Sequence, residues 1–180
     1  MKKILLLILI FPFILKGQEL QKLQLNYDGF SSVLDSTKKY VIIDIPNKSK
    51  ADLYKKSQVY FSKLYVNPKE VMTLIDGESI TLNGIDKKAV KMKVLYLNPS
   101  WDVNYTSTYE FKDNKVRISF SVNRLSTYTG DIFREKMIGD FFNKKGIVRD
   151  EKSVKTLNEY VNSVIETYYK SMIKSDDENW

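Results

Sequence analysis

Four side chains have the types that recognise ligands: Trp101, Tyr105, Thr108 and Arg117. Trp101 sits in the Pro-containing stretch Asn98-Pro-Ser-Trp-Asp102, with Asn104 and Tyr105 following, and these residue types recur at glycan- and peptide-binding surfaces. The competing role for Trp101 is to cap a sheet edge and help close the core, and it is the stronger of the two. Thr108 and Arg117 lie on the polar side of a hairpin described below. The chemistry open to these groups is recognition. None of them is an activated nucleophile.

The absences point the same way. The chain has no His and no Cys, which removes Ser-His-Asp and Cys-His arrangements and zinc sites built from those ligands. There is no Gly-rich phosphate loop, nucleophile elbow or calcium loop. Asp176, Asp177 and Glu178 could hold a cation weakly, but they read as a solvated tail. The expectation is therefore no metal, no cofactor and no enzymatic activity. The alternative is a hydrolase of envelope glycan working through two carboxylates about 5–10 Å apart, for which no particular pair is nominated.

Formal charge is +7, from 29 basic and 22 acidic residues. Three of those lysines, Lys2, Lys3 and Lys16, flank the apolar run Ile4 to Leu15, which is short of the ~20 residues that span a bilayer. This is the pattern of a secretory signal peptide over residues 1–17. It implies an exported, periplasmic or extracellular protein with no stable membrane span once the signal is cut. No Cys follows the run, so a lipid-anchored lipoprotein is not expected. The remaining basic excess is scattered Lys, which reads as a solvated surface and makes nucleic acid a poor partner. An envelope protein, peptide or glycan is the partner class expected, and oligomeric state is left open.

The element on which the rest is built is the hairpin Tyr105 to Val122. With Asp113-Asn114 as a two-residue loop, Phe111 pairs with Val116, Tyr109 with Ile118, Ser107 with Phe120 and Tyr105 with Val122 on one face. The other face pairs Glu110 with Arg117, Thr108 with Ser119 and Thr106 with Ser121. A one-residue slip would bury the charges, so the register is well specified.

Residues 18–38 read as an N-terminal lead that ends in a short edge strand near Phe30 to Leu34. Tyr40 to Ile45 is a strand, and Ser49 opens a helix through a capping box with Asp52. In that helix Leu53, Ser57, Tyr60, Phe61 and Leu64 share a stripe. A second hairpin joins Glu70–Ile75 to Ser79–Leu82 through a three-residue loop, Ile75-Asp76-Gly77, with Gly77 left-handed and Met72 opposite Ile80. A strand over Val90 to Tyr96 follows, then a loop over Asn98 to Asp102. Phe133, Met137 and Phe141 suggest a short amphipathic helix within Gly130 to Phe142. A longer helix begins at Asp150 or Ser153 and carries Val154, Leu157, Val161, Val164, Ile165, Tyr168 and Met172. Residues 174–180 form an acidic tail.

The order of these elements, with Lys50-Ala-Asp-Leu-Tyr54 opening the helix, the Asp76-Gly77 hairpin, the Tyr105–Val122 strand pair and Phe142-Asn-Lys-Lys-Gly146 before a terminal helix, resembles a bacterial exported domain-of-unknown-function family with a TBP-like fold. The resemblance covers roughly Tyr40 to Met172 and implies an α+β domain over 39–173, a curved antiparallel sheet with helices packed on one face. It implies no activity and supplies no site residues. A TBP-like sheet can bind DNA on its open face with basic residues and apolar wedges. Here that face carries Thr106, Thr108, Glu110, Arg117, Ser119 and Ser121, which argues against DNA.

Overall fold

The computed structural model describes residues 20–174. The signal-peptide expectation for 1–17 and residues 175–180 of the acidic tail lie outside the described residues. A six-stranded antiparallel sheet runs in the order β3 (Val41–Asp44), β7 (Lys115–Thr129), β6 (Ser100–Lys112), β5 (Ser79–Lys91) and β4 (Met72–Ile75), and β8 (Ile132–Lys136) also pairs with β7. Two shorter strands, β1 (Leu23–Asn26) and β2 (Gly29–Ser32), form a separate hairpin. The helices are α1 (Lys50–Leu64), a single turn α2 (Pro68–Val71) and α3 (Glu151–Ile173).

The central hairpin adopts the register read from its sequence. Phe111 pairs with Val116, Tyr109 with Ile118, Glu110 with Arg117 and Thr108 with Ser119, across a loop in which Asn114 takes φ 63°. Along β6 the residues from Trp101 to Phe111 alternate strictly, odd positions buried and even ones partly exposed. α1 and α3 sit on the buried side, where Leu53, Phe61, Leu157, Val161, Ile165 and Tyr168 join the odd residues of β6 in one core. The other side of the sheet is left to hydroxyls and charges, as the alternation requires. The fold is thus α+β, with the helices on one face.

Local chemistry explains the helix ends. Ser49 accepts from the Asp52 backbone N–H, and Asp150 accepts from that of Ser153, so each helix starts with an orphan N–H satisfied. On α1 the stripe is narrower than expected: Leu53, Ser57 and Phe61 are buried, while Leu64 is exposed.

Five expectations are corrected. The 18–38 lead holds a strand pair whose Leu23, Leu25 and Phe30 belong to the main core. Asn162 of α3 clamps it, accepting from the Leu23 N–H at 2.9 Å and donating to its carbonyl at 2.8 Å. These are long-range bonds that local pattern does not reveal. The second hairpin keeps its three-residue loop and left-handed Gly77, but the loop is Asp76-Gly77-Glu78, so Met72 faces Leu82 and Leu74 faces Ile80. The shift preserves the face of every side chain. The strand expected over Val90 to Tyr96 is the end of β5, which continues across a bulge between Asp86 and Val90; Val90 and Met92 are buried, but Tyr96 is fully exposed. Trp101 and Asp102 lie in β6 and not in a loop. Finally, Gly130 to Phe142 is not a helix. Residues 132–136 pair with β7, and a 3-10 turn covers Ile138–Phe141. Phe141 is buried, while Phe133 and Met137 are half-exposed. The exposed edge of β7 beyond β3 offers ladder partners worth more to this segment than its weak helical spacing.

Candidate functional site

The sheet and the two long helices do not close completely. Where the C-terminal part of α1 diverges from the middle of α3, a cleft of about 490 Å³ opens over β5 and β6. Tyr60, Leu64 and Tyr65 line it from α1 and its C-cap. Tyr160, Val164 and Thr167 line it from α3, at the spacing of one helical face. Tyr105 and Tyr109 of β6 form the floor, and Asp86 and Ala89 at the β5 bulge form the rim.

The rings of this cleft are held by one another. Phe61 stacks on Tyr168 with centroids 5.6 Å apart and planes at 4°, and Tyr109 lies 4.7 Å from both. Tyr105 stacks on Phe120 at 5.1 Å. The hydroxyls of Tyr65 and Tyr105 hydrogen-bond to each other, and the Tyr160 hydroxyl donates to Asp86 Oδ2 at 3.2 Å. Gly84 makes room for this arrangement, since a Cβ there would stand 3.0 Å from the Tyr105 ring. The floor of the cleft therefore depends on a residue with no side chain.

Burial pushes the hydroxyl pKa of Tyr105 far above its ordinary value, and its bond with Tyr65 adds to the effect. Burial also raises Tyr160, reinforced by the nearby Asp86 charge, and it raises Tyr65 against the opposing effect of its bond with Tyr105. These phenols stay protonated through the physiological range. They can donate and accept hydrogen bonds, but they cannot serve as bases near neutral pH. Asp86 is the one carboxylate among the described residues that line the cleft.

Of the four sequence candidates, the structure brings only Tyr105 to this cleft. Trp101 is buried on the same side of β6 with its Nε1–H donating to the Met92 carbonyl at 3.1 Å, which is the core-closing role. Thr108 and Arg117 are on the opposite face. There Thr108 Oγ1 is hydrogen-bonded to that of Thr81 at 3.1 Å. Arg117 makes a two-pronged pair with Glu110 and lies 5.0 Å over the Tyr40 ring. A larger hollow of about 680 Å³ surrounds Arg117, but Ile75, Glu78, Lys112 and Lys115 of its lining are exposed, and the Arg117–Glu110 pair within it is already satisfied. Such exposed side chains move, whereas the tyrosine cleft is shaped by the packing of four elements, α1, α3, β5 and β6. Sequence reasoning passed over Tyr60, Tyr65, Tyr160 and Asp86. The available signal was tyrosine at the edges of two apolar helix stripes, together with twelve tyrosines in the chain.

Among described residues no cluster of three or more metal-ligating side chains occurs, and no described helix is long and apolar enough to cross a membrane.

No curated protein matches the sequence. Two solved structures are similar to it. A TBP-like protein from Parabacteroides distasonis ATCC 8503 matches 76% of this chain and 92% of its own, with TM-score 0.59 at 13% identity. A DUF4468 family protein from Bacteroides ovatus ATCC 8483 matches 78% and 88%, with TM-score 0.50 at 14% identity. At these identities the likeness is one of fold. The model of the family described as a domain of unknown function (DUF4468) with TBP-like fold matches residues 40–125, from the first strand of the main sheet through the central hairpin. Over residues 40–125 this chain is similar to the DUF4468 domain with TBP-like fold, and its fold is shared by the two solved structures.

Proposed function

We propose that this protein is a non-enzymatic binding domain of the bacterial cell envelope that takes its ligand in the tyrosine cleft. The observation that carries the reading is the cleft itself, with aromatic walls from α1, α3 and β6 and a carboxylate at the rim. Tyr rings offer apolar faces while their hydroxyls remain available at the edges. A ligand with a flat face and a donor at one end fits: a sugar ring or a peptide side chain lying against Tyr60 and Tyr65, with a hydroxyl or amine donating to Asp86. Catalysis by a carboxylate pair asks for two acids facing one bond, and the lining supplies Asp86 alone. Action in the envelope rests on the export pattern of residues 1–17.

The test is titration of isotope-labelled protein with envelope-derived oligosaccharides and short peptides, read by amide shift mapping. Shifts are expected at Tyr65, Ala89, Tyr105 and Tyr160, and Asp86→Asn with Tyr65→Ala should weaken them. Shifts confined to Thr108, Arg117 and their neighbours would move the site to the open sheet face and overturn the assignment. Turnover of any of these ligands would overturn the non-enzymatic reading.

A further inference from the structure

Two hairpin turns project from the same end of the main sheet. β5 passes into β6 through Met92 to Pro99, and β7 passes into β8 through Gly130 and Asp131. They are neighbours because Lys91 pairs with Ser100 and the Thr127 hydroxyl donates to the Ser100 carbonyl at 2.7 Å. Both turns carry apolar side chains into solvent. Leu95 is 75% exposed and Tyr96 98%, with Leu97 beside them. On the second turn Tyr128, Ile132 and Phe133 are each half-exposed or more, and the Tyr128 and Phe133 rings pack together.

The first turn is unusual in its backbone as well. Val94 and Leu97 exchange both backbone hydrogen bonds at 2.9 Å, leaving Leu95-Tyr96 as a two-residue loop. Leu95 takes φ 54°, a conformation that favours Gly, Asn or Asp. A large apolar residue in a strained, solvated loop position points to a contact that uses its side chain.

Charge and shape decide what that contact is. Lys91 and Lys93 flank the first turn, exposed, and no ion pair of the described residues involves them. Arg134 and Lys136 follow the second turn, against Asp131 and Glu135, and Glu135 is itself paired with Arg124. The exposed apolar side chains thus stand on two hairpin tips. A fluid bilayer deforms around such tips, accepts aliphatic side chains below the headgroups and holds tyrosines at their level. Lysines beside the tips are drawn to anionic headgroups. We propose that this end of the sheet docks on the surface of an anionic lipid bilayer, with Leu95, Tyr96 and Ile132 entering the interface and Lys91 and Lys93 against the headgroups.

The absence of cysteine from the chain permits a site-specific test. Full-length protein carrying Tyr96→Cys is labelled with a polarity-sensitive fluorophore, and Lys112→Cys at the far end of β6 serves as the control. Each is mixed with vesicles of phosphatidylcholine and of equimolar phosphatidylcholine and phosphatidylglycerol. Emission at position 96 should shift to the blue with the anionic vesicles alone, while position 112 stays as in water. In the labelled Tyr96→Cys protein, Lys91→Glu with Lys93→Glu should lower vesicle affinity at least about tenfold. Leu95→Gly should lower it while leaving the thermal midpoint equal or higher, since glycine suits the loop. Absence of a shift at 96 overturns the proposal. So do equal shifts at both positions, which would place the contact elsewhere, such as the apolar run Ile4 to Leu15. A blue shift at 96 that grows with protein concentration without lipid also overturns it, in favour of a second copy of the chain.

Discussion

The hydroxyls of Ser57 and Tyr168 meet at 2.7 Å in the interior, joining α1 to α3 across 111 residues of sequence. Ser57 Oγ also donates to the Leu53 carbonyl at 2.7 Å, so the bond between the helices runs from the Tyr168 hydroxyl to Ser57. Direction has consequences. Ser57→Ala leaves a fully buried phenol without its acceptor and should cost about 1–3 kcal/mol, whereas Tyr168→Phe leaves Ser57 bonded to Leu53 and should cost about 1 kcal/mol. Denaturant unfolding of the two variants would show the order, and a reversed order would reject this direction for the bond.

Gly84→Ala should destabilise the domain by about 1–2 kcal/mol, because overpacking forces a well-held neighbour to move. The neighbour is Tyr105, fixed by its bond to Tyr65 and its stack on Phe120. The same variant should weaken any ligand held in the cleft, since its floor is displaced. Stability and ligand affinity measured on one preparation would check both.

Alkaline pH should unfold the protein in a single cooperative step. Burial holds the phenols of Tyr105, Tyr109, Tyr160 and Tyr168 above the ordinary 10.0. A folded pKa raised above the unfolded one means that the native state retains protons which the unfolded state releases. The stability from these groups is complete below pH ~10 and declines as pH rises above it. Tyrosinate absorbance from this buried set should rise together with loss of tertiary circular dichroism. One smooth rise with tertiary structure intact would show that burial does not hold these groups.

Trp101→Ala should cost about 3–5 kcal/mol, as expected for truncating a buried indole, and Trp101→Phe less. Arg117→Ala should cost no more than about 1 kcal/mol, since its pair with Glu110 is open to solvent and screened by salt. Thermal unfolding of both variants checks the contrast. A large effect at Arg117 with ligand shifts around it would restore the open face as a site.

What the sequence determined by itself lies in its short-range patterns. The register from Tyr105 to Val122 follows from two-residue periodicity and an Asp-Asn loop, and the cap at Ser49 follows from spacing of three, while the structure chose Asp150 over Ser153 as the start of α3. Element order was enough to indicate the TBP-like family. Tertiary structure decided what depends on partners distant in the chain. Phe133 and Met137 have helical spacing, but their segment lies against the free edge of β7 and pairs there. The strand carrying Leu23 and Leu25 is held by Asn162 and Asn158 of α3, more than a hundred residues away. The cleft belongs to the same class. Tyr60 and Tyr105 satisfy local patterns as core-facing residues, and Tyr160 falls beside the apolar stripe of α3. They surround one space only because α1 and α3 diverge over the sheet where Gly84 lets a tyrosine ring lie down.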